Sequence, residues 1–332
     1  MENNSIKDII RGTNFRFNKA LGQNFITDGN LLDAIVQDSG VTEDDVVVEI
    51  GTGAGTLTRA LAKVAKKVYS FEVDGNLKPV LELSLQGVDN VEVVFRDVLK
   101  MKDDELKSIV GDRFKVVANL PYYITTPLAM RFIESALDVE SLTIMVQKEV
   151  ADRFVAKANT ADYSAITLAI ESAGNAKVTR NVNRNMFYPA PNVDSAVVRI
   201  DIDRHKLDGE NAALLHKLIR GSFAMRRKTL ANNLSVAFKM SKQDATELIA
   251  SCGFNPLVRG EALSLNDYIF RLLTTLFFHE KVDDKHQPYH RDGERKTKSV
   301  ESKKRHGRRR LLLEYECESP DKRAQRHEER SQ

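Results

Sequence analysis

Cysteine is nearly absent from this chain. Cys252 and Cys317 are the two it has, and they stand far apart without metal-ligand spacing. Both are therefore expected to be reduced bystanders in a cytoplasmic protein, and no metal is expected. No apolar run is long enough to span a membrane, and the polar start from Met1 to Lys7 has no apolar signal region. A soluble chain with no membrane partner is the expectation. Internal repeats are lacking too. Charge of one sign is scarce overall, the formal net being +3, so the bulk balance does not by itself announce a nucleic-acid binder.

What is present is a core-forming chain with uneven charge. Apolar side chains make up 42% of 332 residues, enough for two domains more readily than one. From His279 onward about 16 basic residues meet about 12 acidic ones, so the tail carries the basic excess. It includes the run Lys303 to Arg310, interrupted by His306 and Gly307, and its periodicity stops, so 279–332 reads as a charged, disordered extension. Between Asn211 and Gln243 there is no acid, against Lys217, Arg220, Arg226, Arg227, Lys228, Lys239 and Lys242. The spacing places that one-sign patch on a helical segment, a candidate surface for a polyanion.

Short apolar runs alternate with helical patterns through the first half. Val46 to Ile50, Lys67 to Glu72, Val91 to Phe95, Phe114 to Ala118 and Leu142 to Val146 read as strands. Helical stretches fall near Leu57 to Lys63, Leu77 to Leu83, Leu106 to Val110 and Leu128 to Ala136. This alternation predicts an α/β fold with a doubly wound, mostly parallel sheet. A further pair, Lys177 to Arg184 and Ser195 to Ile202, is expected to form an antiparallel hairpin closing the sheet edge. From Asn211 to Phe278 the pattern is helical, with caps expected at Ser241 and Ser264. The organisation expected is 1–205 for the α/β part with its N-terminal segment, 206–278 for a small all-helical domain, and 279–332 for the tail.

Ligands of such sheets bind at the carboxyl ends of the strands, and four segments there carry chemistry. Glu49-Ile50-Gly51-Thr52-Gly53-Ala54-Gly55 leaves the first strand and opens a helix, so Gly51 and Gly53 allow close backbone approach to a ligand. Glu72 ends the second strand about 20 residues after the glycines, where a carboxylate can take ribose hydroxyls. Asp97 follows the third strand and can accept from an adenine amine. Asn119-Leu120-Pro121-Tyr122 follows the fourth. Asn and Pro are also ordinary turn residues, but the Asn119 oxygen and the Leu120 carbonyl suit holding both N–H donors of an exocyclic amine. Pro121 would fix the backbone, and Tyr122 would stack on the base. A nicotinamide enzyme is disfavoured because the glycine spacing is Gly-x-Gly-x-Gly and no second nucleotide-binding half is visible. S-adenosylmethionine, one adenosine carrying a methyl donor, fits better.

These motifs, with several others in the same order, resemble the bacterial-type small-subunit ribosomal RNA adenine-N6,N6 dimethyltransferase family. The resemblance begins at Lys19-Ala20-Leu21-Gly22-Gln23-Asn24-Phe25-Ile26 and continues through the glycine loop and Asn119 to Pro127. It includes Gln147-Lys148-Glu149-Val150 and Phe187-x-Pro189-x-Pro191 running on to Val198. Phe223 to Leu230 and Arg259 to Leu263 complete it. Two departures stand out: Ile26 replaces the usual Leu, and Thr52 stands where Pro is common.

The resemblance implies a class I, Rossmann-like methyltransferase fold and two methylations of each of two adjacent adenosines in a 3′-terminal hairpin loop of small-subunit RNA. It implies S-adenosylmethionine as cofactor, touched by Asn24, Ile26, Gly51, Gly53, Glu72, Asp97 and Asn119. Asn119, Leu120, Pro121 and Tyr122 would hold the target base, with Phe187 approaching its other face. Lys148, Arg226, Arg227 and Lys228 are the RNA-contact candidates. The expected partner is ribosomal RNA within an immature subunit, met by a monomer. Two other readings remain: a large-subunit RNA methyltransferase of the antibiotic-resistance type, and a non-catalytic RNA- or DNA-binding assembly or transcription factor on the same fold.

Overall fold

A computed structural model describes residues 12, 13, 15, 23–203 and 209–276. The tail expected over 279–332 and the segment Lys19 to Gly22 lie outside them. All described residues belong to one compact unit. In chain order the main elements are β1 (Phe25–Ile26), α1 (Gly29–Ser39), β2 (Val46–Ile50), α2 (Thr56–Ala62), β3 (Lys67–Phe71), α3 (Lys78–Ser84) and β4 (Val91–Val94). Next come α4 (Asp103–Val110), β5 (Arg113–Asn119), α5 (Thr125–Ile133), β6 (Asp138–Gln147), α6 (Lys148–Phe154) and α7 (Ala165–Ala173). The α/β part closes with β7 (Gly174–Val182), β8 (Phe187–Tyr188) and β9 (Ser195–Ile202). Helices α8 (Gly209–Ser222), α9 (Leu230–Ala237), α10 (Lys242–Ser251) and α11 (Leu265–Asp267) follow.

Seven strands form one sheet in the order β4-β3-β2-β5-β6-β9-β7. The first five run parallel, and β9 lies antiparallel between β6 and β7. Strand order therefore reverses between β2 and β5, which opens a crevice beyond their carboxyl ends. The expected hairpin is β7–β9, although β7 begins three residues earlier than the sequence suggested. Glu72 lies just past β3, whereas Asn119 is the last residue of β5.

Period-two alternation divides the sheet's side chains between two cores. Val47, Val117, Met145 and Val197 pack with Leu32, Ile35, Val36 and Leu61 on one face. Val48, Val116, Ile144 and Val198 pack with Leu106, Leu128, Phe132 and Phe154 on the other. Helix α1, absent from the sequence expectation, starts at Asp28, whose carboxylate accepts from the Leu31 N–H at 2.9 Å. It stops at Gly40 in a left-handed conformation. The caps expected at Ser241 and Ser264 are both formed, the latter as a capping box with Asp267. The helical layer has its own apolar core around Leu218, Leu234, Leu248 and Leu272, but Tyr163 and Leu168 from the α/β part complete it. Among the described residues no helix is long and apolar enough to cross a membrane.

Candidate active site

The crevice is a cleft whose empty volume, counted out to its open mouth, is ≈ 1020 Å³. Asn24, Ile26, Gly51, Gly53, Glu72, Asp97, Asn119, Leu120, Pro121, Tyr122 and Phe187 all line it. Four strand ends, far apart in sequence, bring them together.

The glycine loop is fastened to the β3 exit at three successive residues. Gly51 N–H donates to the Phe71 carbonyl at 2.8 Å. The Thr52 hydroxyl meets that of Ser70 at 2.6 Å, and Gly53 N–H donates to Glu72 Oε2 at 2.9 Å. Gly51 has φ 81°, and a Cβ there would lie 3.2 Å from a Leu120 methyl. Gly53 has φ 54°, and a Cβ would press on the Phe25 ring at 3.0 Å. Any L side chain would be strained at both places and would fill the cradle.

Glu72 is buried, yet its carboxylate accepts three backbone N–H groups: Gly53, and through Oε1 Val73 at 2.8 Å and Asp74 at 2.9 Å. Burial raises its pKa, and these hydrogen bonds oppose the rise. Its oxygens keep acceptor capacity for a diol. Asp97 is partly occupied as a local cap, Oδ1 accepting from Leu99 N–H at 3.1 Å and Oδ2 lying 3.2 Å from Lys100 Nζ. The turn role and a place in the cleft thus coexist in one side chain.

Asn119 Nδ2 reaches the Asn24 carbonyl at 3.4 Å, an arrangement that leaves Oδ1 as the acceptor. Leu120 is buried against the glycine loop. Tyr122, half-buried, bonds Ser195 Oγ through its hydroxyl at 2.8 Å, and burial raises the phenol pKa. Phe187 is held by a two-stranded ribbon in which it pairs with Ile26, while Tyr188 pairs with Phe25. That ribbon joins the first motif to the Phe187 loop.

Sequence reasoning missed several parts. Tyr123 lines the mouth of the cleft and is 63% exposed; its place beside Tyr122 was the available signal. Val73, Val98 and Leu99 supply apolar walls, and nothing in the pattern distinguished them from core residues. Ser195, at the start of β9 and within the Phe187 to Val198 block, carries no sequence signal that marks it as the partner of Tyr122.

Lys148 lies outside the cleft, at the start of α6, in a neighbouring polar groove. Arg226, Arg227 and Lys228 are exposed, but they do not sit on a helix as expected. They occupy the connection from α8 to α9 because the helix stops at Ser222, where Asn233 reaches across the turn. Its Nδ2 donates to the Ser222 carbonyl at 2.7 Å, and its Oδ1 accepts from Met225 N–H at 3.1 Å. Arg226 also hydrogen-bonds the Ala161 carbonyl.

Residues 14–256 match the family described as "Ribosomal RNA adenine dimethylase". The ribosomal RNA small subunit methyltransferase A of Clostridioides difficile is 41% identical over 268 residues, covering 80% of this chain and 93% of that protein. Its Bacillus licheniformis counterpart is 41% identical over 272 residues, covering 79% and 92%. Among solved structures, a dimethyladenosine transferase from Plasmodium falciparum superimposes with a TM-score of 0.64 at 26% identity, covering 78% of this chain and 98% of that one. The 23S rRNA methyltransferase ErmE gives 0.58 at 25%, covering 76% and 100%.

Proposed function

As the chain belongs to the ribosomal RNA adenine dimethylase family, we propose that it dimethylates N6 of two adjacent adenosines in the 3′-terminal hairpin loop of small-subunit ribosomal RNA, using S-adenosylmethionine. The single observation that supports this reading best is the convergence of the glycine loop, Glu72, Asp97, Asn119 to Tyr122 and Phe187 on one cleft at the sheet's reversal point.

The residues present fit the cofactor. A cradle without Cβ atoms at Gly51 and Gly53 admits it closely, the Glu72 carboxylate suits ribose hydroxyls, and Asp97 suits an adenine amine. Asn24 and Ile26 close the same wall. The cofactor, when bound, supplies an electrophilic methyl group on a sulfonium. The protein's own task is then alignment, a contribution that can lower a barrier by several kcal/mol. Asn119 Oδ1 and the Leu120 carbonyl accept the two N–H donors of the base, localising the nitrogen lone pair. Pro121, with φ −54°, fixes the backbone immediately after the Leu120 carbonyl. Tyr122 and Phe187 hold the ring. No strong base is required, because the attacked nitrogen becomes acidic only once it carries the methyl group.

An adenosine must leave its stack to enter this cleft, which favours an RNA loop over a duplex. Lys148, Arg226, Arg227 and Lys228 serve the phosphates and the shape of the RNA, with 206–278 as the recognition part. The substrate is an immature small subunit, met by a monomer without a metal. Identity of 41% to relatives named for the small subunit supports this choice over the large-subunit reading. The amine-holding segment, which a binding-only protein does not need, supports it over an assembly or transcription factor.

The test is to incubate the protein and labelled cofactor with unmethylated small and large subunits in parallel and map the modified nucleotides. Label on two adjacent adenosines of the small subunit is expected. Label confined to the large subunit, or none, overturns the reading.

A further inference from the structure

Beside the cleft lies a second, polar groove, of ≈ 960 Å³ empty volume counted out to its mouth. Lys148, Arg184, Asn185, Asn192 and Asp194 line it. The two cavities are linked through the chain: Ser195, next to Asp194, bonds Tyr122 at 2.8 Å, and Phe187 follows Asn185 by two residues.

Of the groove's two acids only Glu149 is ion-paired among the described residues, and Asp194 keeps its charge while bracing the loop. Asp194 Oδ1 accepts from the Arg184 N–H at 3.0 Å, and Glu149 is paired with Arg153. The cations are not neutralised: among the described residues neither Lys148 nor Arg184 forms an ion pair. The Arg184 guanidinium is steadied by Nη1 donating to the Asn192 carbonyl at 3.2 Å. Asn183 is consumed in forming the turn, its Oδ1 accepting from Asn185 N–H at 2.9 Å. That bond uses the backbone of Asn185, and the Arg184 bond uses the backbone of Asn192. Both side-chain amides remain exposed with donor and acceptor atoms to offer.

We propose that this groove binds the ribonucleotide adjoining the target adenosine, its phosphate on Lys148 and Arg184 and its base edge on the amides of Asn185 and Asn192. The inference rests on the RNA-methylating reading given above. Cations fit phosphate and carry no sequence information, whereas Asn side chains can read the exposed edge of an unstacked base. In this proposal the groove fixes which of two neighbouring bases enters the cleft.

Binding of unmethylated small subunits across a potassium chloride titration tests it. Single-stranded contacts contribute roughly 0.7 each to the slope of log affinity against log salt. Lys148→Ala/Arg184→Ala should therefore flatten the slope by about 1.4, and Asn185→Ala/Asn192→Ala should weaken binding with the slope unchanged. Because Arg184 also braces its loop, Lys148→Ala alone is included, with about 0.7 expected. Cofactor affinity by calorimetry should match wild type in every variant. An unchanged slope in the double variant and in Lys148→Ala, with wild type methylating small subunits, overturns the groove while leaving the activity standing. Failure of wild type to methylate small subunits removes the activity and this inference together.

Discussion

The hydroxyls of Thr52 and Ser70 lie 2.6 Å apart in the interior, and Ser70 gives its own proton to Glu49 Oε2 at 2.6 Å. Where related sequences commonly stiffen the glycine loop with Pro, this chain ties it to β3 through a side-chain hydrogen bond. Thr52→Val keeps the shape and removes the tie, leaving the buried Ser70 hydroxyl one partner short at about 1–3 kcal/mol. Denaturant unfolding should show that loss, and calorimetry a weaker hold on S-adenosylmethionine. Wild-type values in both would dismiss the tether.

The end of that chain titrates. Burial drives the Glu49 carboxyl up to about 8, against the Ser70 hydrogen bond, from an ordinary value of 4.5. Between those values the folded protein holds a proton that the unfolded chain has lost. The contribution of neutral Glu49 is thus complete below about pH 4.5 and is lost as pH rises toward 8. Glu72, raised in the same direction by its burial, adds a slope of the same sign in any Glu49 variant. Glu49→Gln should unfold like wild type near pH 5 and gain on it steadily up to pH 8. Parallel stability curves for the two proteins would contradict the assignment.

Most of this site was legible because each of its parts is a short motif at a strand end, and the period-two strands place those ends on one edge of the sheet. Val46–Ile50 was readable to the residue, since five consecutive apolar or buried positions can only be covered on both faces. Helix α1 is missing from the sequence expectation although its signal is present: Leu31, Leu32, Ile35 and Val36 recur at helical spacing behind the Asp28 cap. The ribbon pairing Ile26 with Phe187 was hidden: two residues per strand carry no periodicity, and the pairing spans most of the α/β part. The position of Arg226 to Lys228 was misread because charge pattern says nothing about where Asn233 will end a helix.

Asn119 and Tyr122 separate positioning from packing. Asn119→Ala removes an acceptor from the amine while leaving β5 intact, so methyl transfer should fall about 100-fold or more with the fold retained. Tyr122→Phe retains the ring and gives up only the bond to Ser195; it should keep most activity, whereas Tyr122→Ala should not. A radiolabelled methyl assay on small subunits decides between them. Equal losses in the Phe and Ala variants would make the hydroxyl, not the stacking face, the functional part.

Away from the cleft, Lys115 is buried with its ammonium 2.8 Å from Asp45 and 2.8 Å from the Gly40 carbonyl. Burial pushes the Asp45 carboxyl up, but Lys115 and Thr42 hold it below its ordinary 3.8. Stability from this pair is present above that value and is lost as pH falls through the lower, folded one. Lys115→Met removes the cation from a partly buried carboxylate that keeps both Thr42 donors, and should cost roughly 1–3 kcal/mol near neutral pH. The deficit should shrink in acid. A deficit that holds constant down to pH 3 would place the loss in packing instead.

Arg226, Arg227 and Lys228 stand exposed on the α8–α9 connection, but they are not equivalent. Arg226 is drawn toward the Ala161 carbonyl, so its removal also loosens that neighbouring loop. Arg227 and Lys228 form no ion pair among the described residues and are open to phosphate. Replacing all three by Ala should flatten the salt dependence of subunit binding by about 2, at roughly 0.7 per contact, while cofactor affinity stays at the wild-type value. The Arg227→Ala/Lys228→Ala pair should account for about two thirds of that change. If the triple variant binds subunits with an unaltered slope, this turn does not meet the RNA backbone.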